Sequence, residues 1–243
     1  AGKENDDCDG KPDIPESEIS QRTEPADALR SLAVHPDRGD LACGDRSGNV
    51  FIYDVNHMKF ARKVAAHDNE VLSLTYSKND LLASASRDKL VHIFDTNDDY
   101  RRFSSLDNHG SSVTSVKFSS DDTKLVSCGG DRMIFVNEVN REAKKIEQKS
   151  SMCVSKGTIY DIGIDITDKF LVSTGQQKSL NVWNLKRAKL ARSYKPDVGS
   201  GELFKLDIDP SGIFVAACSF DKWIRIYDLY SGKCVGKVAG HGE

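Results

Sequence analysis

The sequence predicts an all-β fold in which one four-stranded unit repeats five times. The first observation is a series of short runs that alternate apolar and polar residues, such as LRSLAV (29–34), VLSLTY (71–76) and VTSVKF (113–118). Such alternation is typical of half-buried strands. Each run is followed by a polar turn, an apolar run that ends in small residues, a tight turn and a third apolar run. No stretch has a convincing helical period.

The second observation is a constant repeat length. The residues that close the third runs are 41, 43, 46 and 44 residues apart, namely Asp54, Asp95, Glu138, Asn184 and Asp228. A four-stranded repeat of about 40–45 residues is typical of a β-propeller blade. A unit this small buries little core alone, so neighbouring units have to stack around an axis. We therefore expect a β-propeller segment with blades at about 28–66, 67–108, 109–155, 156–198 and 199–240.

The first 27 residues differ from the rest of the chain. They contain nine acidic and three basic residues, three prolines and few large apolar residues. This composition predicts an acidic, disordered leader or linker over 1–27, followed by the five blades over 28–243. Five blades are fewer than the seven of most such rings. We therefore expect a truncated segment of a larger ring that exposes apolar faces at both ends and is either marginally stable or self-associating.

Short motifs add a family resemblance. Most third runs close on an aromatic residue followed by an acid, and His67 and His109 precede Asp88 and Asp131 by 21 and 22 residues. These features resemble WD repeats, whose blades contain a hydrogen-bonded network of His, Ser, Asp and Trp. In the second repeat Phe94 stands where the Trp is expected, and either of two serines suits the network. The resemblance implies a structural network of His67, Ser84, Ser86, Asp88, His109, Asp131, Trp183 and Asp221.

A closer resemblance covers most of residues 28–243. The strings LACGDRSGNVFIYD (41–54) and DPSGIFVAACSFDKWIRIYDLYSGKC (209–234) resemble the later WD repeats of the family of mitogen-activated protein kinase-binding protein 1 and its microcephaly-associated spindle-pole paralogue. Members are large cytoplasmic scaffolds of the Jun amino-terminal kinase pathway, some of them also found at spindle poles. The resemblance implies a protein–protein interaction scaffold with kinase-pathway partners. It also implies a cytoplasmic location, extending for some members to the centrosome and spindle pole.

No motif indicates catalysis. The sequence has no phosphate-binding Gly-rich loop, no HExxH and no GxSxG. Its six histidines are not paired at metal-ligand spacing, and its six cysteines form no CxxC. We therefore expect no enzyme activity, no catalytic residue, no metal and no cofactor. No apolar run is long enough to span a membrane, and no small-molecule substrate is indicated.

The turns before the third strands carry basic residues. In a propeller these turns emerge on one side, whereas the turns at the other end of the strands are rich in Asp. Clustered cations select carboxylates and phosphates, so this side predicts a partner-binding face for acidic or phosphorylated peptides. The face comprises Arg46, Arg87, Lys89, Arg132, Lys178 and Lys222. Two alternatives are a merely solvated surface and a face covered by the acidic leader.

A different class of function is binding of RNA or ribonucleoprotein. A formal net charge of -3 and the absence of aromatic residues interleaved with the basic ones disfavour nucleic acid as the partner.

Overall fold

The computed structural model describes residues 27–143, 145–154, 157–195 and 201–239. The predicted leader therefore lies outside the described residues, apart from Asp27. Within the described ranges the chain forms strands and turns, and no helix there is long and apolar enough to cross a membrane.

The described strands form five four-stranded antiparallel sheets, and in each sheet the strands pair in chain order. Sheet 1 contains β1 (Leu29–Val34), β2 (Asp40–Asp45), β3 (Asn49–Asp54) and β4 (Lys59–Ala65). Sheet 2 contains β5 (Val71–Tyr76), β6 (Leu81–Ser86), β7 (Val91–Asp95) and β8 (Arg101–Leu106). Sheet 3 contains β9 (Val113–Phe118), β10 (Lys124–Gly129), β11 (Met133–Asn140) and β12 (Lys145–Cys153). Sheet 4 contains β13 (Ile159–Ile164), β14 (Phe170–Gly175), β15 (Leu180–Asn184) and β16 (Lys189–Tyr194). Sheet 5 contains β17 (Leu203–Ile208), β18 (Phe214–Ser219), β19 (Trp223–Asp228) and β20 (Cys234–Ala239).

The predicted all-β fold with five four-stranded units is thus confirmed. The position of each strand within its sheet explains its composition. The second strand β6, with the sequence LLASAS, is buried on both faces because neighbouring sheets cover it. The outer strand β4, with the sequence KFARKVA, alternates exposed and half-buried residues. Its Lys and Arg side chains suit an edge strand, because charge discourages pairing with another chain.

The hydrophobic core lies between the sheets. Four clusters of buried residues fill the spaces between sheets 1 and 2, 2 and 3, 3 and 4, and 4 and 5. Each cluster draws side chains from both neighbours; for example, Ile52 of sheet 1 and Leu82 of sheet 2 share one. Burial of this apolar area is the main stabilising contribution. The large apolar residues that remain exposed include Leu32 and Val34 in sheet 1 and Trp223 and Val235 in sheet 5.

The first strands lie side by side in the order β1, β5, β9, β13, β17. Side chains join them near the starts of the strands. The Ser31 hydroxyl donates to the Val71 carbonyl at 2.9 Å, and the Thr114 hydroxyl donates to the Ile159 carbonyl at 2.7 Å. Because the beginning of one first strand meets the beginning of the next, the first strands run parallel and the sheets repeat by rotation. The turns that join second to third strands therefore share one end of the sheets, here called the basic end.

The opposite end is held by aspartates that cross between sheets. The Asp122 carboxylate accepts the N–H of Asn79 in sheet 2 at 2.8 Å. The Asp168 carboxylate accepts the N–H groups of Ser120 and Asp121 in sheet 3 at 2.8 and 3.1 Å. Two of the aspartates in the turns at this end are therefore used as ties between neighbouring sheets.

Candidate functional site

The predicted basic face lies at the basic end of the sheets, and its members are all exposed. They are Arg46, Arg87, Lys89, Arg132, Lys178 and Lys222. The acids that precede them in three of the turns, Asp88, Asp131 and Asp221, are only partly exposed. The charged groups thus separate, with cations outside and carboxylates inside.

Four of these cations occupy an unusual backbone position. The residue after the aligned turn position has a positive φ in every sheet, in the order Gly48 (88°), Lys89 (77°), Arg132 (68°), Lys178 (58°) and Lys222 (67°). Glycine adopts this left-handed conformation without strain, whereas other residues do so at a cost. Backbone geometry therefore explains Gly48 but not the four basic residues.

The basic face divides into two parts by its contacts. Arg46 and Arg87 both pair with Glu70, through Arg46 Nε at 2.9 Å and Arg87 Nη1 at 3.4 Å. Arg30, which sequence reasoning did not select, contacts the same carboxylate at 3.9 Å. The other four members form no ion pair with any residue that the structure describes.

The opposite end is less negative than the sequence suggests. Arg38 pairs with Asp80 at 2.8 Å, and Lys124 lies 3.8 Å from Asp121. Together with the ties between sheets, these pairs leave fewer free carboxylates there than a count of aspartates implies.

The buried network of sheet 2 contains His67. Its Nδ1 lies 2.9 Å from the Asp88 carboxylate, and its Nε2 lies 2.7 Å from the Ser84 hydroxyl. Ser86 makes a different contact, because its hydroxyl donates to the Asn69 carbonyl at 3.0 Å. Of the two serines predicted for this network, the histidine thus contacts Ser84.

Sheet 3 repeats this arrangement. His109 Nδ1 lies 2.9 Å from the Asp131 carboxylate, and its Nε2 lies 2.9 Å from the hydroxyl of Ser127, a residue that the sequence pattern did not single out. In sheet 4 the Trp183 indole N–H donates to the Ser173 hydroxyl at 2.9 Å. Ser127 and Ser173 lie among other small residues in their strands, so only an alignment to Ser84 would have selected them.

In sheet 5 the turn aspartate pairs with an arginine of the third strand. Asp221 pairs with the Arg225 guanidinium, which also donates to the Ser219 hydroxyl at 2.5 Å. Hydrogen bonding from Arg225 holds the pKa of Asp221 well below its usual range. Arg225 shares its register on the third strand with His92 in sheet 2 and Phe135 in sheet 3.

The Ser84–His67–Asp88 arrangement has the connectivity of a hydrolase triad but is sealed from solvent. Ser84 is fully buried, and the His67 side chain has no exposed surface. Burial lowers the pKa of His67 despite the neighbouring Asp88 carboxylate, so the ring is neutral at pH 7. A nucleophile needs access to its substrate. The geometry therefore serves to join strands within a sheet.

One group of potential metal ligands emerges only from the structure. The ligand atoms of His67, Asp88 and His92 all lie within 4.8 Å of one another. Both nitrogens of His67 already have hydrogen-bond partners, whereas buried His92 Nδ1 has none among the described residues. The His92 ring stacks on His67 with centroids 4.4 Å apart. Sequence spacing did not indicate the group because strand pairing brings the two rings together.

Aromatic residues also lie at the basic end, near the starts of the first strands of sheets 4 and 5. The Tyr160 and Phe204 rings stack with centroids 5.3 Å apart, and Phe220 lies 6.2 Å from Phe204. Phe220 occupies the same turn position as Arg46 and Arg87, since all three donate an N–H to the loop before their first strand. Aligning the turns of the five repeats in the sequence would have placed Phe220 beside the basic residues of this face.

Comparison with known proteins agrees with this geometry. The family model "WD domain, G-beta repeat" matches residues 58–95, 101–136 and 193–228. Together with the five four-stranded sheets, these matches show that the chain is built from WD repeats and forms part of a β-propeller.

Within that class the chain is similar to two large proteins. It is 40% identical over 222 residues to WD repeat-containing protein 62 of Sus scrofa, covering 88% of this chain and 14% of that protein. It is 36% identical over 228 residues to mitogen-activated protein kinase-binding protein 1 of Mus musculus, covering 90% of this chain and 15% of that protein. A more distant relative is nuclear distribution protein nudF of Aspergillus niger, 28% identical over 240 residues, with 88% of this chain and 53% of that protein covered. The predicted family resemblance is confirmed.

Proposed function

We propose that this chain is a rigid, non-catalytic docking platform for proteins of a mitogen-activated protein kinase pathway. The relative whose name states that it binds such a kinase matches 90% of this chain. By the same family resemblance, the finer proposal is a scaffold of the Jun amino-terminal kinase pathway that acts in the cytoplasm and at the spindle pole. The chain spans only 14–15% of the length of these relatives, so their other activities do not enter this proposal.

The observation that supports docking is the row of exposed cations at the basic end. Four of these cations occupy a backbone position that favours glycine, and each lacks an ion-pair partner within the described ranges. They are Lys89, Arg132, Lys178 and Lys222. Charged groups on a surface accelerate association with partners of opposite charge and give them specificity. The expected partner segment is therefore acidic or phosphorylated.

Affinity capture with the full chain, followed by mass spectrometry, tests this function. We compare the unmodified chain with a variant in which Lys89, Arg132 and Lys178 are all replaced by Glu, and with a control in which Lys63 and Lys145 on outer strands are replaced likewise. Enrichment of mitogen-activated protein kinase-pathway proteins that the first variant loses and the control keeps supports the proposal. Capture dominated by ribonucleoproteins that nuclease treatment abolishes contradicts it.

A further inference from the structure

Three arginines from two sheets converge on one buried carboxylate. Arg30 lies in the first strand of sheet 1, Arg46 comes just after its second strand, and Arg87 comes just after the second strand of sheet 2. All three contact Glu70, whose side chain is only 7% exposed. The arginine side chains themselves are 51%, 61% and 59% exposed. We call these four residues the arginine cluster.

The charge of this cluster is not balanced. Glu70 supplies one negative charge against three guanidiniums, and Asp27, which interacts electrostatically with Arg46, supplies one more. Arg46 uses its Nε and Arg87 one Nη for Glu70, and their other side-chain N–H groups meet no acceptor in the described part of the chain. The cluster therefore keeps an excess positive charge and several donors that a ligand can reach.

We propose that the arginine cluster binds the phosphate group of a phosphoserine or phosphothreonine in a partner peptide. This inference rests on the proposed docking function and names the group that the basic end recognises. A phosphomonoester carries a charge of about -1.5 to -2 at pH 7 and three strong acceptor oxygens. Guanidiniums bind such oxygens with paired N–H groups, and Glu70 holds three of them in place before the ligand arrives. A single peptide carboxylate offers less charge and one fewer acceptor.

The surroundings of Arg30 indicate which type of residue stands beside the phosphorylated one in the peptide. Arg30 also lines a cavity between the first strands, together with Leu29, Leu72, Thr114, Tyr160, Phe204 and Lys205. Apart from Thr114 and the cation Lys205, the walls beyond the cluster are thus apolar or aromatic. A peptide whose phosphate contacts the arginines places a neighbouring side chain over this cavity. The expected neighbour is a large apolar residue, with Phe as the test case.

The geometry favours a peptide over RNA. A polynucleotide backbone needs cations spaced along a groove to track successive phosphates. Here Arg30, Arg46 and Arg87 gather around the carboxylate of Glu70. A second acid, Asp27, interacts electrostatically with Arg46. This arrangement suits one compact dianion.

Fluorescence polarisation with the full chain tests the inference. The probe is a fluorescein-labelled peptide library with a fixed phosphoserine followed by Phe and degenerate flanks. Comparison libraries replace phosphoserine by Ser or by Glu, or Phe by Gly. We expect at least tenfold weaker binding of the Ser and Glu libraries and about threefold to tenfold weaker binding of the Gly library. Raising the salt concentration weakens binding further.

Two protein variants locate the site. The double variant Arg46→Gln, Arg87→Gln lowers affinity for the phosphoserine library at least tenfold. The control Arg101→Gln removes another exposed arginine, which pairs with Asp98 at an outer strand, and it leaves the affinity unchanged. Circular dichroism of both variants checks that they fold.

The outcomes separate this inference from the proposed function. If the Lys89, Arg132, Lys178 variant loses the peptide but the Arg46, Arg87 variant keeps it, the docking function stands and the arginine cluster is not the phosphate site. If the Glu library binds as tightly as phosphoserine, recognition of phosphate is wrong. Tighter binding of a fluorescein-labelled uridine decamer than of any peptide, lost in the Arg46, Arg87 variant, overturns the choice of partner.

Discussion

Replacement of His92 by Phe is expected to stabilise the fold and to reduce its sensitivity to acid. His92 is 4% exposed, stacks on His67, and leaves its Nδ1 without a hydrogen-bond partner among the described residues. A buried polar atom without a partner costs about 1–3 kcal/mol. Sheet 3 carries Phe135 at the equivalent position, where its ring meets His109 edge-on with centroids 4.7 Å apart. We therefore expect His92→Phe to raise the free energy of unfolding at pH 7.5 by about 1 kcal/mol.

The acid response results from the same burial. Burial first, and then the neighbouring His67 and Arg102, lower the pKa of His92 from 6.5 to about 4. Because the folded-state pKa lies below the unfolded one, the unfolded chain binds more protons between pH 6.5 and 4. Stability is therefore complete above pH 6.5 and falls as the pH decreases, by about 1.4 kcal/mol per pH unit and about 3 kcal/mol in all for this residue. Burial also lowers the pKa values of His67 and His109, so they add to the slope.

Urea unfolding followed by the fluorescence of buried Trp183 measures both effects. The unmodified chain, His92→Phe and the reciprocal variant Phe135→His are compared at about pH 7.5, 6.0 and 5.0, which cover the upper part of this titration window. The free energy of unfolding should depend less steeply on pH in His92→Phe and more steeply in Phe135→His, in each case by the contribution of about one proton. A loss of more than about 1 kcal/mol in His92→Phe at pH 7.5, or an unchanged pH dependence in both variants, would refute the assignment of His92 as a buried, neutral ring without a partner for Nδ1.

Three further changes test the other contacts. Arg225→Ala removes the buried partner of Asp221 and should lower the free energy of unfolding by about 2–3 kcal/mol in urea titrations at neutral pH. The effect should shrink as the pH falls below the ordinary pKa of Asp, because the unfolded chain then binds a proton that the folded Asp221 resists; no loss at neutral pH would contradict it. Lys89→Gly relieves a positive φ and should raise the free energy of unfolding by about 0.5 kcal/mol while weakening capture of acidic partners; a clear destabilisation would show that the lysine stem contributes packing. A fluorophosphonate probe should leave Ser84 unlabelled in the folded chain by mass spectrometry, because the hydroxyl is buried, and stoichiometric labelling would require access that this geometry lacks.

The repeat length and the alternation of apolar residues were sufficient to predict the sheets. The third strands end at Asp54, Asp95, Asn184 and Asp228, as the aligned sequence positions indicate. In sheet 3 the strand β11 continues two residues past Glu138, because its partner β12 is longer and pairs with it to Asn140. These features depend on local pattern, which sequence carries directly.

The sites were predicted less completely because they depend on contacts between strands and between sheets. The His67–Asp88 pair is indicated by spacing within one repeat. By contrast, the contacts of His92 with His67 and of Arg225 with Asp221 depend on pairing register, which spacing does not reveal. Glu70 lies in a loop of sheet 2 but contacts Arg30 and Arg46 of sheet 1. Such a cluster needs the relative position of two repeats, so single-residue patterns did not select it.

The way neighbouring first strands are joined has an evolutionary consequence. Ser31, Thr114 and Asp161 connect adjacent sheets through single side chains, and among the described residues no backbone ladder crosses from one sheet to the next. Duplication or deletion of a whole repeat in the gene therefore disturbs only two interfaces and breaks no sheet. The architecture can gain or lose repeats, and diversify each one separately, without refolding the others.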